Sequence, residues 1–167
     1  MKVFDNDIKI SGKHASYLKF LTKKSSELKK DAKSAEIFKR YIDVYMAGII
    51  VGAVKNRKSD PDNSIDDSAN ILASAVIGEQ DRLKFLYRLV LLTDNSSLSV
   101  EDRIDNAFRY DGDAAKVKEG MAIINSYARG GIEWLYEKFN DGVLTQEDYY
   151  RVVYELSKEY SEDYLLI

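Results

Sequence analysis

The chain has 167 residues, 45% of them apolar and 32% charged, which is the composition of one packed domain rather than of a disordered segment. It has no cysteine, one histidine (His14) and one proline (Pro61), so disulfide frameworks, thiolate metal sites and the usual Ser-His or Cys-His nucleophilic machinery lack their parts. The net charge of −3 conceals an asymmetry. Residues 1–58 carry fourteen Lys or Arg against six Asp or Glu, a balance of +8, whereas residues 59–167 carry eleven against twenty-two, a balance of −11. Such a split implies either a basic face beside an acidic one or two halves that pack together and neutralise each other.

Taken in chain order, residues 3–10 (VFDNDIKI) mix β-branched and polar residues and predict an extended arm or short strand, ended by Ser11-Gly12. From residue 13 to about residue 30, Ala15, Leu18, Leu21 and Leu28 recur at helical spacing with lysines opposite. Ser34 is placed to cap the next helix, whose apolar positions Ile37, Phe38, Tyr41, Ile42, Tyr45, Met46, Ile49 and Ile50 keep an i, i+4 rhythm to about Lys55. Residues 55–63 read as the main inter-helix loop. Ser64 and Asp67 resemble a capping box, predicting a helix through Ile77 that Gly78 ends.

Residues 80–93 follow as an apolar helix, and residues 94–97 (DNSS) as a turn. Ser99 with Asp102 opens a short helix through Phe108. Asp113 caps a long one over residues 114–139 that Gly142 ends, and Thr145 with Asp148 opens the last. The sum is an all-α, single compact domain of about seven helices. The longest apolar run, residues 44–54, is eleven residues, too short to span a bilayer, and residues 1–13 lack an apolar core of signal-peptide length. These features predict a cytoplasmic protein that does not enter a membrane.

Three features carry the functional expectations. Gly48 and Gly52, spaced by four, let another backbone approach closely, as a core helix crossing or as a seam with a second copy of the chain. Gly130 and Gly131 interrupt a helical run and cost roughly 2 kcal/mol relative to alanines. A close helix crossing, a kink or backbone approach by a ligand must offset that, either for packing or as a functional bend that presents Arg129. Lys55, Arg57 and Lys58 at a helix C-terminus, joined by Lys19 and Lys23, either complement the helix dipole or contact nucleic-acid phosphates. No helix-turn-helix or zinc-finger signature accompanies them. Residues 141–148 match only the back half of a calcium loop, and no cofactor or metal is expected. Twelve tyrosines supply half-buried surfaces suited to protein contacts.

Residues 37–48 (IFKRYIDVYMAG), continuing to Gly52 and Arg57, and residues 125–132 (NSYARGGI), followed by Trp134-Leu135, resemble two helices of small proteins encoded beside bacterial DNA phosphorothioation systems. The resemblance implies an accessory protein of antiviral defence that works beside DNA-modifying or DNA-cutting partners, and it brings no catalytic residues. The reading that follows is a non-enzymatic, protein-interacting accessory protein. The alternative is a nucleic-acid binder using the basic N-terminal third.

Overall fold

The computed structural model describes residues 3–22, 37–94, 98–140 and 146–164. Among them stand seven helices and one two-stranded sheet: β1 Ile8–Ser11, α1 Lys13–Leu21, α2 Tyr41–Val54, β2 Ser68–Ile71, α3 Ala73–Gly78, α4 Gln80–Thr93, α5 Val100–Phe108, α6 Ala114–Asn140 and α7 Gln146–Tyr164. The all-α expectation holds. Lys23, Leu28, Ser34, the turn at 95–97, Gly142, Thr145 and the half calcium loop at 141–145 lie outside the described residues.

The fold is organised by the crossing of α2 and α6. Helix α2 is apolar almost all round, and it buries Ile42, Val44, Tyr45, Gly48, Ile49 and Gly52. Helix α6 meets it with Ile124, Tyr127, Ala128, Gly131 and Ile132, all buried. The glycines set the separation. A Cβ on Gly131 would lie 1.9 Å from the Gly48 carbonyl oxygen, and one on Gly52 would lie 2.1 Å from that of Tyr127. Gly130 serves a different neighbour, since its Cβ would lie 2.1 Å from the carbonyl oxygen of Arg57. The paired glycines therefore answer two close approaches at once, helix α2 on one side and the loop after α2 on the other. Packing and dispersion gained at that distance offset their poor helix propensity.

Three predicted helices differ from the structure: the first, expected to run to about residue 30, ends at Leu21, where Thr22 is its C-cap. Residues 37–40 are not helical; Phe38 donates its backbone N–H to the Leu21 carbonyl (3.1 Å), and extended Arg40 caps α2. The stretch predicted as one helix from Ser64 to Ile77 is instead β2 followed by α3. The reason is pairing with a distant partner: β2 runs antiparallel to β1 with Ile8 opposite Ile71 and Ile10 opposite Ala69. The alternation of exposed Ser68 and Asn70 with buried Ala69 and Ile71 is the two-residue period of a strand. Ser64 donates to Asp62 Oδ1 (2.8 Å), and Asp67 accepts from Ser16 and Lys19.

Elsewhere local chemistry decides as expected. Ser99 Oγ accepts from the Asp102 backbone N–H (3.1 Å) at the start of α5, and Asp113 Oδ1 accepts from the N–H groups of Ala115 (2.9 Å) and Lys116 (3.1 Å) at the start of α6. Helices α4 and α5 pack side by side. Helix α7 is held near the C-terminal half of α6, with Tyr149 tilted against Phe139.

Candidate functional site

Four of the five proposed phosphate contacts are described, and each forms an ion pair within the chain. Lys19 pairs with Asp67, Lys55 with Glu159 (2.5 Å) and Lys58 with Asp94 (2.6 Å). Arg57 forks onto Glu137, with Nη1 and Nη2 at 2.7 and 2.6 Å. The fifth, Lys23, lies outside the described residues. All four acids come from the acidic part of the chain, so here the two halves meet and neutralise each other. Lys58 does more than balance charge. Asp94 is buried at the C-terminal end of α4, where it also accepts from the Tyr127 hydroxyl (2.8 Å), and the Lys58 ammonium lies 4.8 Å from the centre of the Tyr127 ring.

The densest polar cluster surrounds Glu133 on α6. Its Oε1 accepts from Lys13 Nζ (2.8 Å), Ser59 Oγ (2.7 Å) and His14 Nε2 (2.9 Å), and its Oε2 faces Arg57 Nη2 at 3.4 Å. Burial alone would push this carboxyl up. The hydrogen bonds from Lys13, Ser59 and His14 outweigh it and hold the pKa at about 2. His14 has no exposed surface, and burial shifts its pKa down against the opposing pull of Glu133, so it sits neutral with Nε2–H donating.

A serine, a histidine and a glutamate in contact invite comparison with a hydrolase triad, and the geometry refuses it. In a triad the imidazole uses one nitrogen for the nucleophile and the other for the carboxylate. Here Ser59 Oγ (3.2 Å) and Glu133 share Nε2, Ser59 donates to the carboxylate directly, and Nδ1 has no hydrogen-bond partner among the described residues. The cluster fastens α1, the 57–59 loop and α6 together. Sequence reasoning missed it, because a lone histidine and scattered acids carry no spacing signal.

Ser59 is tied down twice more. Its N–H donates to the Ser126 carbonyl (3.0 Å), and its own carbonyl accepts from Arg129 Nε (2.8 Å). Asn56, with φ of 48°, turns the chain out of α2 into this loop. Arg129, singled out by its place before the glycine pair, thus holds the loop with one nitrogen.

The surface carries a second feature. On α5, Val100, Ile104 and Phe108 recur every fourth residue and are 63%, 42% and 50% exposed, while Ala107, on the flank of that stripe, is buried. On α4, Phe85 (65% exposed) and Leu89 (40%) are likewise four apart. Arg88 lies between the two helices, its guanidinium 5.2 Å from the centre of the Phe108 ring and its Nη2 bonded to Asp111 (3.3 Å). These five side chains leave on the order of 400 Å² of apolar surface bare, the size of the largest patch on a typical monomer, which is often functional. Charges of both signs surround it: residues 98–113 contain five Asp or Glu and two Arg, a balance of −3, whereas residues 80–93 contain one Asp against three Lys or Arg, a balance of +2.

Among the described residues, no group of three or more His, Asp or Glu is placed to hold a metal ion, and no helix is long and apolar enough to cross a membrane. Compared with protein-family models, curated proteins and solved structures, the chain matches none.

Proposed function

We propose that this protein is a non-enzymatic accessory protein of the cytoplasm that binds another protein through the apolar face of α4 and α5. The observation that carries this reading is the bare stripe Val100, Ile104 and Phe108 beside Phe85 and Leu89. A helix that spends three apolar side chains on solvent forgoes roughly 1.5 kcal/mol or more for each until a partner covers it. The occupant that fits is an amphipathic protein segment whose apolar side chains cover the stripe, with cations toward the acidic α5 side and acids toward the basic α4 side. Lys19, Lys55, Arg57 and Lys58, engaged by acids of the same chain, favour a protein partner over a phosphate backbone.

The resemblance of residues 37–48 and 125–132 to helices of phosphorothioation-associated proteins supports placing that partner in a bacterial antiviral DNA-modification or restriction system. Gly48, Gly52 and Gly131, packed in the α2–α6 crossing, and Gly130, packed against the loop after α2, carry much of that resemblance, so the likeness concerns the scaffold. Photo-crosslinking from position 100 in cells, followed by reconstitution with the captured protein, tests the reading. An amphipathic segment of a different protein is the expected product. Crosslinks only to a second copy of this chain, or none at all, would overturn it.

A further inference from the structure

One side of the Arg129 guanidinium is accounted for and the other is not. Nε donates to the Ser59 carbonyl, yet no carboxylate lies within ion-pairing distance of either terminal nitrogen among the described residues. Arg129 is half-buried, and burial pulls its pKa down. A guanidinium removed from water normally takes an acid with it. The nearby charges are committed elsewhere: Glu133 to Lys13, His14, Ser59 and Arg57, and Asp62 to the backbone N–H of Lys13 and to Ser64. Only exposed Asp60 reaches Arg129 with a field not otherwise balanced.

Arg129 lines a pocket of about 210 Å³ between β1 and α6, together with Lys9, Ser11, Tyr45, Asn125 and Pro61. Lys9 is exposed and likewise makes no ion pair among the described residues. Tyr45, buried and held neutral by that burial, donates its hydroxyl to Asn125 Oδ1 (2.7 Å). That bond fixes the amide and leaves its two N–H donors without an acceptor among the described residues. Ser11 Oγ makes only a long contact to the Asp62 carbonyl (3.4 Å). The pocket thus collects two cations, an oriented amide and a hydroxyl, with no carboxylate among its lining residues. Its volume falls below the roughly 300–1,000 Å³ that takes a drug-sized molecule.

We propose that this pocket binds a phosphate or a small phosphate monoester, with Arg129 and Lys9 sharing the charge and Asn125 and Ser11 donating to the remaining oxygens. A doubly charged tetrahedral oxyanion uses both cations and both neutral donors, whereas a carboxylate would leave half of them idle. The site is separate from the α4–α5 face, and either assignment stands without the other.

The test is a titration of the full chain with inorganic phosphate at low ionic strength, followed by calorimetry. Saturable binding at one site is expected. Arg129→Gln should weaken it at least about tenfold, the loss of one charge-assisted hydrogen bond. Lys9→Ala, a change at an exposed position that leaves the Ser59 tether intact, should weaken it about threefold to tenfold. Asp60→Asn should tighten it, and Lys118→Ala, eleven residues up the same helix, should leave it unchanged. Circular dichroism establishes that each variant is folded. Absence of saturable binding in the wild type, equal affinity in wild type and the Lys9 variant, or acetate competing as well as phosphate would each overturn the assignment.

Discussion

Replacing Gly131 by alanine should destabilise the protein although alanine is the better helix former. The change gains about 1 kcal/mol of helix propensity. Against that, the new methyl group would begin 1.9 Å from the Gly48 carbonyl oxygen, and that oxygen belongs to the backbone of a buried helix and cannot rotate away. Reaching an ordinary contact distance requires α2 and α6 to separate by more than 1 Å along a seam that includes Tyr45, Ile49, Ile124, Ala128 and Ile132. Overpacking of that kind typically costs 1–3 kcal/mol and occasionally more, and rigid backbone on both sides puts this site at or above the upper end. The net expectation is a loss of about 2–3 kcal/mol, read as a fall in Tm of roughly 4–12 °C for a chain of this size. Gly78→Ala is the matched control. It makes the same chemical change at the end of α3, where nothing lies within 4 Å of the added methyl, and it should be neutral or stabilising by up to about 1 kcal/mol. Urea unfolding of the three proteins measures both. A Gly131→Ala protein as stable as the wild type would refute the close-crossing account of the glycine pair.

The Glu133 cluster makes stability pH-dependent in two stages. The carboxyl has a folded pKa of about 2 against an ordinary 4.5, so its contribution is complete above pH 4.5 and is lost as pH falls toward 2; it amounts to on the order of 3 kcal/mol. Glu133→Gln should flatten that stage in acid-unfolding curves. His14 is shifted down by burial, so stability begins to fall already as pH drops below 6.5, and His14→Gln should remove that earlier slope. Lys58→Ala, which strips a cation from buried Asp94, should cost about 1–3 kcal/mol by denaturant melting, and Lys55→Ala, whose partner Glu159 is more exposed, under about 1 kcal/mol. Equal effects of the two would contradict the burial argument.

The legible parts of the sequence were those governed by neighbours along the chain. Helix α4 spans the predicted 80–93, and Ser99 and Asp113 cap the helices they were expected to open, because capping is settled within three residues. The glycines at 48, 52, 130 and 131 announced a close approach. That Gly131 meets Gly48 while Gly130 meets Arg57 needed the partner surfaces, which lie about eighty residues away. Strand β2 was hidden for the same reason: two buried residues in alternation are too short a pattern to outweigh helical spacing until β1 is beside them. The charge asymmetry was visible and its resolution was not, since the pairing of Lys55 with Glu159 or Arg57 with Glu137 is a matter of tertiary contact. Nothing local marked Ser59 and Glu133 as partners of His14.

The protein-binding reading turns on whether the α4–α5 face is an interface. The decisive measurement is the affinity of the protein reconstituted with the partner captured from position 100, for the wild type and for Phe85→Ser, Val100→Ser and the double variant. Both substitutions fall at exposed positions, so melting temperatures of the three variants should stay within a few degrees of wild type. Each single change should weaken binding about tenfold, and the double variant should abolish it at micromolar concentrations. Unchanged affinity in the double variant, with the fold intact, would contradict the account and leave the bare apolar stripe without a role in binding.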